Sequence, residues 1–520
     1  MKNPRIPVID VFAGPGGLSE GFASFETPDG TRRFRIALSI EKDVYAHQTL
    51  VLRHFFHQFD TGKAPDEYYE HLRGSLERAE VFKRHPEGAS AARRETWRAT
   101  LGEESVAEVD RHITQSLRDA RDWVLLGGPP CQPYSVIGRS RNKGVKGYIP
   151  RKDQRHFLYK EYLRIIVKHW PPVFVMENVK GLLSARVKRG ELILDQILAD
   201  LTCPAKALRG SDGGHSYAIY SFEKPTLFGG ASYDPCDYVV RSELHGIPQA
   251  RHRLILLGVR DDLVGINPPV LRTRDPVPAS AVLSGLPRLR SGLSREDDTP
   301  ENWRGSIRRA LKEGWLAELL TIREDSVHHR IVSAVKNVRI PRKGKGNDTF
   351  VAHRVSSDYV PEWFVDSRLG GACNHATRDH IVPDLHRYLF AACFAAAHMR
   401  SPALRHFPGA LLPDHRNVKK ALKGGNFADR FRVQIRPQPS TTVTSHIAKD
   451  GHYYIHFDPT QCRSLTVREA ARLQTFPDNY FFCGPRTAQY CQVGNAVPPL
   501  LANQLAEVVF DVLQQAGLAT

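Results

Sequence analysis

The run RIPVIDVFAGPGGLSEGF, residues 5–22, constrains the fold more than any other stretch. A nearly unbroken apolar segment runs into glycines at 14, 16 and 17, and a helix-compatible segment follows. Continuous apolar runs belong to strands that a parallel sheet buries on both faces. A strand that turns on glycines into a helix opens a nucleotide-binding α/β unit. The missing Cβ atoms let a ligand approach the backbone, and the helix N-terminus offers free N–H groups. The string departs from GxGxxG, so the dinucleotide fingerprint is not met. A second strand, RIALSIEKD, ends on Glu41, where an acid commonly accepts hydrogen bonds from ribose hydroxyls. Taken singly, the turn reads equally as structural and Glu41 as a solvated loop acid. Together they point to an adenosine-containing cofactor.

The α/β rhythm recurs along the chain. DWVLLGGPP reads as strand then loop, FLYKEYLRIIVKHW as an amphipathic helix, PPVFVMENV as a strand, and YVVRSELHGIPQARHRLILLGV as strand, polar loop and apolar strand. Between them, residues 48–121 are charged and helical in pattern and read as an insertion. After residue 265 proline, arginine and irregular stretches dominate (INPPVLRTRDPVPAS, IPRKGKGND, NVKKALKGGN). The expected division is 1–265 for a catalytic and cofactor-binding domain, 266–434 for a second, basic domain, and 435–520 for a return to the first domain. That return ends in the helix AVPPLLANQLAEVVFDVLQQAG.

Lys and Arg outnumber Asp and Glu by 73 to 56, a net charge of +17, which suggests a polyanionic partner such as nucleic acid. The mean hydropathy of −0.38 and the lack of a long apolar run argue against a membrane span, and the N-terminus carries no secretory pattern. Eight scattered cysteines without CxxC spacing fit a reducing compartment, hence a cytoplasmic protein. Cys373, His375 and His380 in ACNHATRDH match no standard zinc spacing, so no metal is expected.

Cys131 stands in GGPPCQPYS, 127–135, directly after an apolar strand. The bland reading is a buried thiol in a turn. The alternative is a nucleophile aimed by a loop that Pro129, Pro130 and Pro133 stiffen, at the sheet edge where open α/β folds bind ligands. An ordinary thiol is only a few per cent ionised at neutral pH, so this role needs activation. Glu177 and Asn178 end the FVMENV strand, where an acid serves catalysis or caps a neighbour equally well. In QARHR, Gln249, Arg251 and Arg253 alternate along an extended segment, which places the two arginines on one face. They bind an anion or polar group, or stay solvated.

In combination, DVFAGPGGL, Glu41, GGPPCQPYS, MENV, QARHR, LTVREAARLQTFPD and QVGNAVPP resemble the DNA (cytosine-5) methyltransferases in order and approximate spacing. The resemblance covers about residues 6–260 and 436–512. It implies a Rossmann-like S-adenosylmethionine-dependent methyltransferase fold, mostly parallel with helices on both faces, and a smaller target-recognition domain in the basic region. It implies S-adenosylmethionine as cofactor and a cytosine flipped out of a specific duplex DNA sequence as substrate. Cys131 is then the nucleophile on C6, Glu177 the contact to N3 and the exocyclic amine, and Arg251 the arginine on the flipped base, supported by Arg253 and Gln249. Phe12, Gly14, Pro15, Gly17, Leu18, Glu41, Pro130, Leu158, Asn495 and Val497 match cofactor positions. Glu103 in TLGEES is the candidate for the acid near the adenine amine. The chain has GNAV where the family often has GNSV. A monomer without an obligate protein partner is expected, with a cognate endonuclease or other host-defence component as its functional companion. RNA-directed relatives share these motifs, but the long basic region favours DNA. A non-catalytic DNA-binding homologue is disfavoured by the presence of Cys131, Glu177 and Arg251 together.

Overall fold

The computed structural model describes residues 5–130, 158–186, 192–209, 213–225, 234–414, 418, 422 and 428–519. Cys131 lies outside the described residues. Its first helices and strands, in order, are β1 (Ile6–Val11), α1 (Gly17–Ala23), β2 (Phe34–Glu41), α2 (Val44–His57), α3 (Asp66–Leu72), α4 (Arg78–Arg84), α5 (Pro86–Arg94), β3 (Thr96–Arg98), α6 (Val106–Leu117), β4 (Val124–Gly127), α7 (Leu158–His169), β5 (Val173–Val179), α8 (Ile193–Thr202), α9 (Pro204–Arg209), β6 (Tyr217–Ser221), β7 (Val239–Arg241), β8 (Gln249–Ala250) and β9 (His252–Arg260).

The central sheet has eight strands in the order β3-β2-β1-β4-β5-β9-β6, with β7 also paired to β9. The first five are mutually parallel, and β9 runs antiparallel to β5. Alternate residues of each strand enter opposite cores. Val8, Leu126, Val175 and Leu257 face α1 and the C-terminal helix Pro499–Gln515, while Ile9, Leu125, Phe174 and Leu256 face α6, α7 and α8. The fold is therefore an α/β architecture, a mostly parallel sheet with helices on both faces, as the strand pattern led us to expect.

Gly21 fixes how closely α1 and the C-terminal helix pack. A Cβ there would lie 2.4 Å from the Ala502 Cβ, so only glycine permits this crossing. The stretch Arg486–Gln515 is apolar and long enough to cross a bilayer by composition, yet 83% of its apolar window is buried inside the protein.

The 48–121 stretch is more than a helical insertion. It contains β3, which pairs with β2 through Ser39–Thr96, Ile40–Trp97 and Glu41–Arg98, and α6, which returns the chain to β4. A three-residue strand leaves too short a pattern to detect. The helices α3 to α5 clamp onto the later region. Tyr69 donates to Asp366 (2.7 Å), the Arg73 Nε to the Leu369 carbonyl (3.2 Å), and Arg368 pairs with Asp66 (2.6 Å).

The basic region has its own core around helices Pro300–Arg309, Gly314–Thr321, Asp325–Lys336 and Val382–His398. That core continues past residue 434 to Ile455 and Cys462.

The segment LTVREAARLQTFPD forms the helix Val467–Leu473, every residue of which is buried. Thr466 and Glu469 cap it reciprocally. Glu469 also takes two bonds from Arg463 (2.7 and 2.6 Å), and Arg472 pairs with Asp478 (2.9 and 2.6 Å). Burial alone would raise the Glu469 carboxyl, but Arg463 holds it well below the usual carboxylate range. Its stabilising contribution is thus present above the unfolded value near 4.5 and is lost as the pH falls below it. Glu469→Gln strands a buried guanidinium and should cost about 3–5 kcal/mol at neutral pH. Calorimetric melting should show the deficit at pH 7 and a shrinking one below about pH 4.5.

Candidate active site

Five parallel strands release their chain ends along one edge of the sheet, and β9 enters from that edge. Residues far apart in sequence meet there. After β1, Phe12 takes a positive φ of 59°, Gly14 57° and Gly16 93°, so the chain reverses within five residues. The space a Gly14 Cβ would occupy is empty to 4 Å, leaving an open cradle over the turn. A Gly17 Cβ would lie 2.2 Å from the Val497 carbonyl oxygen, so the turn and the 493–497 loop meet backbone to backbone. Tyr480 secures the turn from behind by donating its hydroxyl to the Pro15 carbonyl. Leu18 is buried in the core under the turn, and Asn495 is exposed beside Val497.

Glu41, at the end of β2, accepts from the Gly14 N–H and the Asp43 N–H, both at 2.8 Å. Each oxygen keeps a second lone pair for a further donor. Burial raises its carboxyl above the ordinary value, opposed by those backbone donors. Asp10, under the turn, accepts from the Ser19 hydroxyl and is pushed up to about 6 by burial. Glu103 is exposed in the turn after β3, and Leu158 lies against Gly102 in that same turn. The predicted cofactor positions Phe12, Gly14, Pro15, Gly17, Leu18, Glu41, Glu103, Leu158, Asn495 and Val497 therefore gather at the β1–β2–β3 half of the edge. The open cradle, bounded by an acid with spare lone pairs, suits an adenosine with ribose hydroxyls to donate.

The other half carries the carboxylate. The GGPP loop leaves β4 against Glu177: a Gly128 Cβ would sit 3.2 Å from the Glu177 Oε2. Asn178 donates to the Pro129 carbonyl at 3.1 Å, tying Pro129 and Pro130 to the end of β5. The Arg253 Nε lies 2.9 Å from the Glu177 Oε1, with both side chains about 15% exposed. Burial lowers the Arg253 pKa and Glu177 opposes the shift.

The two arginines of QARHR have separate employment. Arg251 is 1% exposed and donates to the Val443 carbonyl (2.7 Å) and the Gly494 carbonyl (3.3 Å). Burial first, then the like charge of Arg253, lowers its pKa well below the usual arginine value. Arg253, not Arg251, is the arginine paired with the carboxylate. Alternation along a strand assigns a face but not a depth, and the cover supplied by residues 443 and 494 buries Arg251.

Cys373, His375 and His380 do not converge. Cys373 reaches the Leu72 carbonyl, His375 bonds Thr466 (2.8 Å) and the Pro287 carbonyl (3.0 Å), and His380 lies near Ser464. Burial pushes the His375 imidazole down to about 4, in keeping with a neutral structural role. Sequence reasoning missed Tyr480, Gln474 and the Glu20–Arg53–His57 cluster. Arg53 bonds Glu20 at 2.7 and 2.5 Å, and Glu20 is held far below the usual carboxylate range despite its burial.

The profile of the C-5 cytosine-specific DNA methylases matches residues 93–202 and 226–511. The type II methyltransferase M.Bpa9945I of Bacillus paralicheniformis is 33% identical over 97% of this chain and 99% of its own. The chain belongs to the C-5 cytosine-specific DNA methylase family. The DNA (cytosine-5-)-methyltransferase M.ApeKI of Aeropyrum pernix is 26% identical, over 98% of this chain and 99% of its own. An E. coli crystal structure described as a prophage-encoded DNA modification methyltransferase superposes with a TM-score of 0.51 at 18% identity. It covers 98% of this chain and 99% of that one, and supports the methylase fold.

The separation of the arginines in this methylase has a measurable consequence. Arg251→Met leaves two buried carbonyls unsatisfied, each costing about 1–3 kcal/mol, and should lower the melting temperature clearly. Arg253→Met should lower it much less while suppressing turnover, which paired melting and methyl-transfer assays resolve.

Proposed function

We propose that this chain methylates C5 of a cytosine flipped out of a specific duplex DNA sequence, through a covalent bond between Cys131 and C6. The observation that carries the reading is the Glu177–Arg253 pair, set against the GGPP loop and on the same sheet edge as the glycine-turn cradle. S-adenosylmethionine, when bound, supplies an electrophilic methyl group. Glu41, the Gly14 turn, Asn495 and Val497 are assigned to hold it.

Cytosine C5 is a weak nucleophile, so the ring must be activated. The Cys131 thiolate adds to C6, and the electron pair of the C5–C6 bond becomes available at C5. Glu177 contacts N3 and the exocyclic amine and favours protonation at N3, which neutralises the charge that thiolate addition brings to the ring. Arg253 keeps Glu177 oriented and offers its remaining N–H groups to the base. C5 then takes the methyl group, loses its proton, and the C6–S bond breaks to restore the ring and the thiolate. Unstacking the base costs a few kcal/mol, which contacts from the basic region, residues 266–434 acting as target-recognition domain, offset. The names of the type II relatives support a role as the modification enzyme of a restriction–modification system, with a cognate endonuclease as its counterpart.

Two substitutions test the assignment separately. Cys131→Ser should reduce methyl transfer to DNA by at least about 10³-fold, because a hydroxyl is a far weaker nucleophile than a thiolate, while S-adenosylhomocysteine binding stays within a few-fold. Near-normal transfer by that variant contradicts the covalent route. Glu41→Ala should weaken S-adenosylhomocysteine binding about tenfold or more, consistent with the roughly 1.5–3 kcal/mol of a charged hydrogen bond, as measured by titration calorimetry.

A further inference from the structure

Gln474 lies between the two halves of the site, fully buried, at the end of the helix Val467–Leu473. Its amide nitrogen donates to the Val493 carbonyl (2.6 Å) and the Ala496 carbonyl (3.2 Å), at the C-terminal end of the helix Arg486–Asn495 on the cofactor side. Its amide oxygen accepts from the Gln249 side chain at 2.8 Å. Gln249, also fully buried, receives the Val443 N–H at 2.6 Å and begins the segment that carries Arg251 and Arg253. One side chain thus spends both N–H groups on the cofactor loop and its oxygen on the base-side segment. Only a side-chain carboxamide offers two donors and an acceptor in that planar arrangement, and asparagine is one methylene shorter.

We infer that Gln474 is a positioning residue that couples the cofactor loop to the base-contacting segment, so that binding of cofactor and of DNA reinforce each other. The inference rests on the proposed assignment of Glu41 and Val497 to the cofactor and of Glu177 and Arg253 to the base. A shift of the C-terminal turn of the helix Arg486–Asn495 changes where the Val493 and Ala496 carbonyls point. The buried amide cannot turn to water, so it must follow, and Gln249 moves with it. Coupling of this kind is reciprocal, with typical factors of about 5–150.

The test uses the full-length chain and S-adenosylhomocysteine, which allows no turnover. Its dissociation constant is measured by equilibrium dialysis with and without saturating unmethylated phage DNA. The wild-type chain should bind it at least about fivefold more tightly with DNA present. Gln474→Leu should bring that ratio close to one. Gln474→Asn keeps the carboxamide but is one methylene too short to reach Gln249 and the Val493 and Ala496 carbonyls together, so it should fold and lose the ratio just the same. That second variant covers the case in which Gln474→Leu fails to fold. A purely structural role would lower the melting temperature and leave the ratio intact. The inference is overturned if Gln474→Leu or Gln474→Asn folds and keeps the wild-type ratio, or if the wild-type chain shows none. Methyl transfer by the wild-type chain separates the two failures. If transfer occurs without coupling, only the role of Gln474 falls; if no transfer occurs, the functional reading falls and this inference with it.

Discussion

Arg472 and Asp478 are both fully buried and face each other through two bonds, and much of the molecule is arranged around that pair. A buried ion pair survives only when its remaining donors find partners. Arg472 meets this by donating to the Val282 and Ser356 carbonyls, each at 2.7 Å, and so fastens the start of the basic region to the helix Val467–Leu473. Arg468 binds the carbonyls of Cys373, Pro477 and Tyr480, reaching a second part of that region. Tyr480 then carries the connection to the glycine turn at Pro15. A short helix of buried polar and apolar residues thus holds the glycine turn and the basic lobe in one frame.

The chemistry of the site follows from where that frame places charge. Glu41 and Glu177 stand at separate strand ends. One is held by backbone N–H groups of the turn and the other by a guanidinium, so each has defined hydrogen-bonding directions left over. Gly128 removes the side chain that would crowd Glu177, and Gly17 removes the one that would push away Val497. The glycines leave room at Glu177 and Val497, and the buried arginines behind them resist collapse.

The sheet was largely legible because buried parallel strands write themselves as apolar runs: IPVIDV, FRIALSIE, VFVMENV and the β9 run HRLILLGVR were all visible as strands. The β3 strand was not, since TWR is too short to carry a period and is held by pairing to β2. The sequence pattern also pointed to Glu41 and Glu177 at strand ends, because strand ends are where α/β folds expose functional groups. Alternation treats Arg251 and Arg253 alike, and the resemblance gave Arg251 the base and Arg253 a supporting place, whereas it is Arg253 that pairs with Glu177. Both occupy equivalent places in QARHR, and their difference arises from Val443 and Gly494, each roughly 190 or more residues away. LTVREAARLQTFPD reads as helical up to its proline. Tertiary burial of its arginines, which no local pattern encodes, makes it the centre of the protein.

The claim on which the account rests is that this chain places a methyl group on C5 of cytosine within a defined duplex sequence. Bisulfite sequencing of DNA from methylation-free cells expressing the chain tests it most directly, because it reads base, position and context at once. The account predicts cytosines protected from conversion at one recurring sequence and nowhere else. Full conversion at every cytosine, in cells where the folded protein is present, would contradict it.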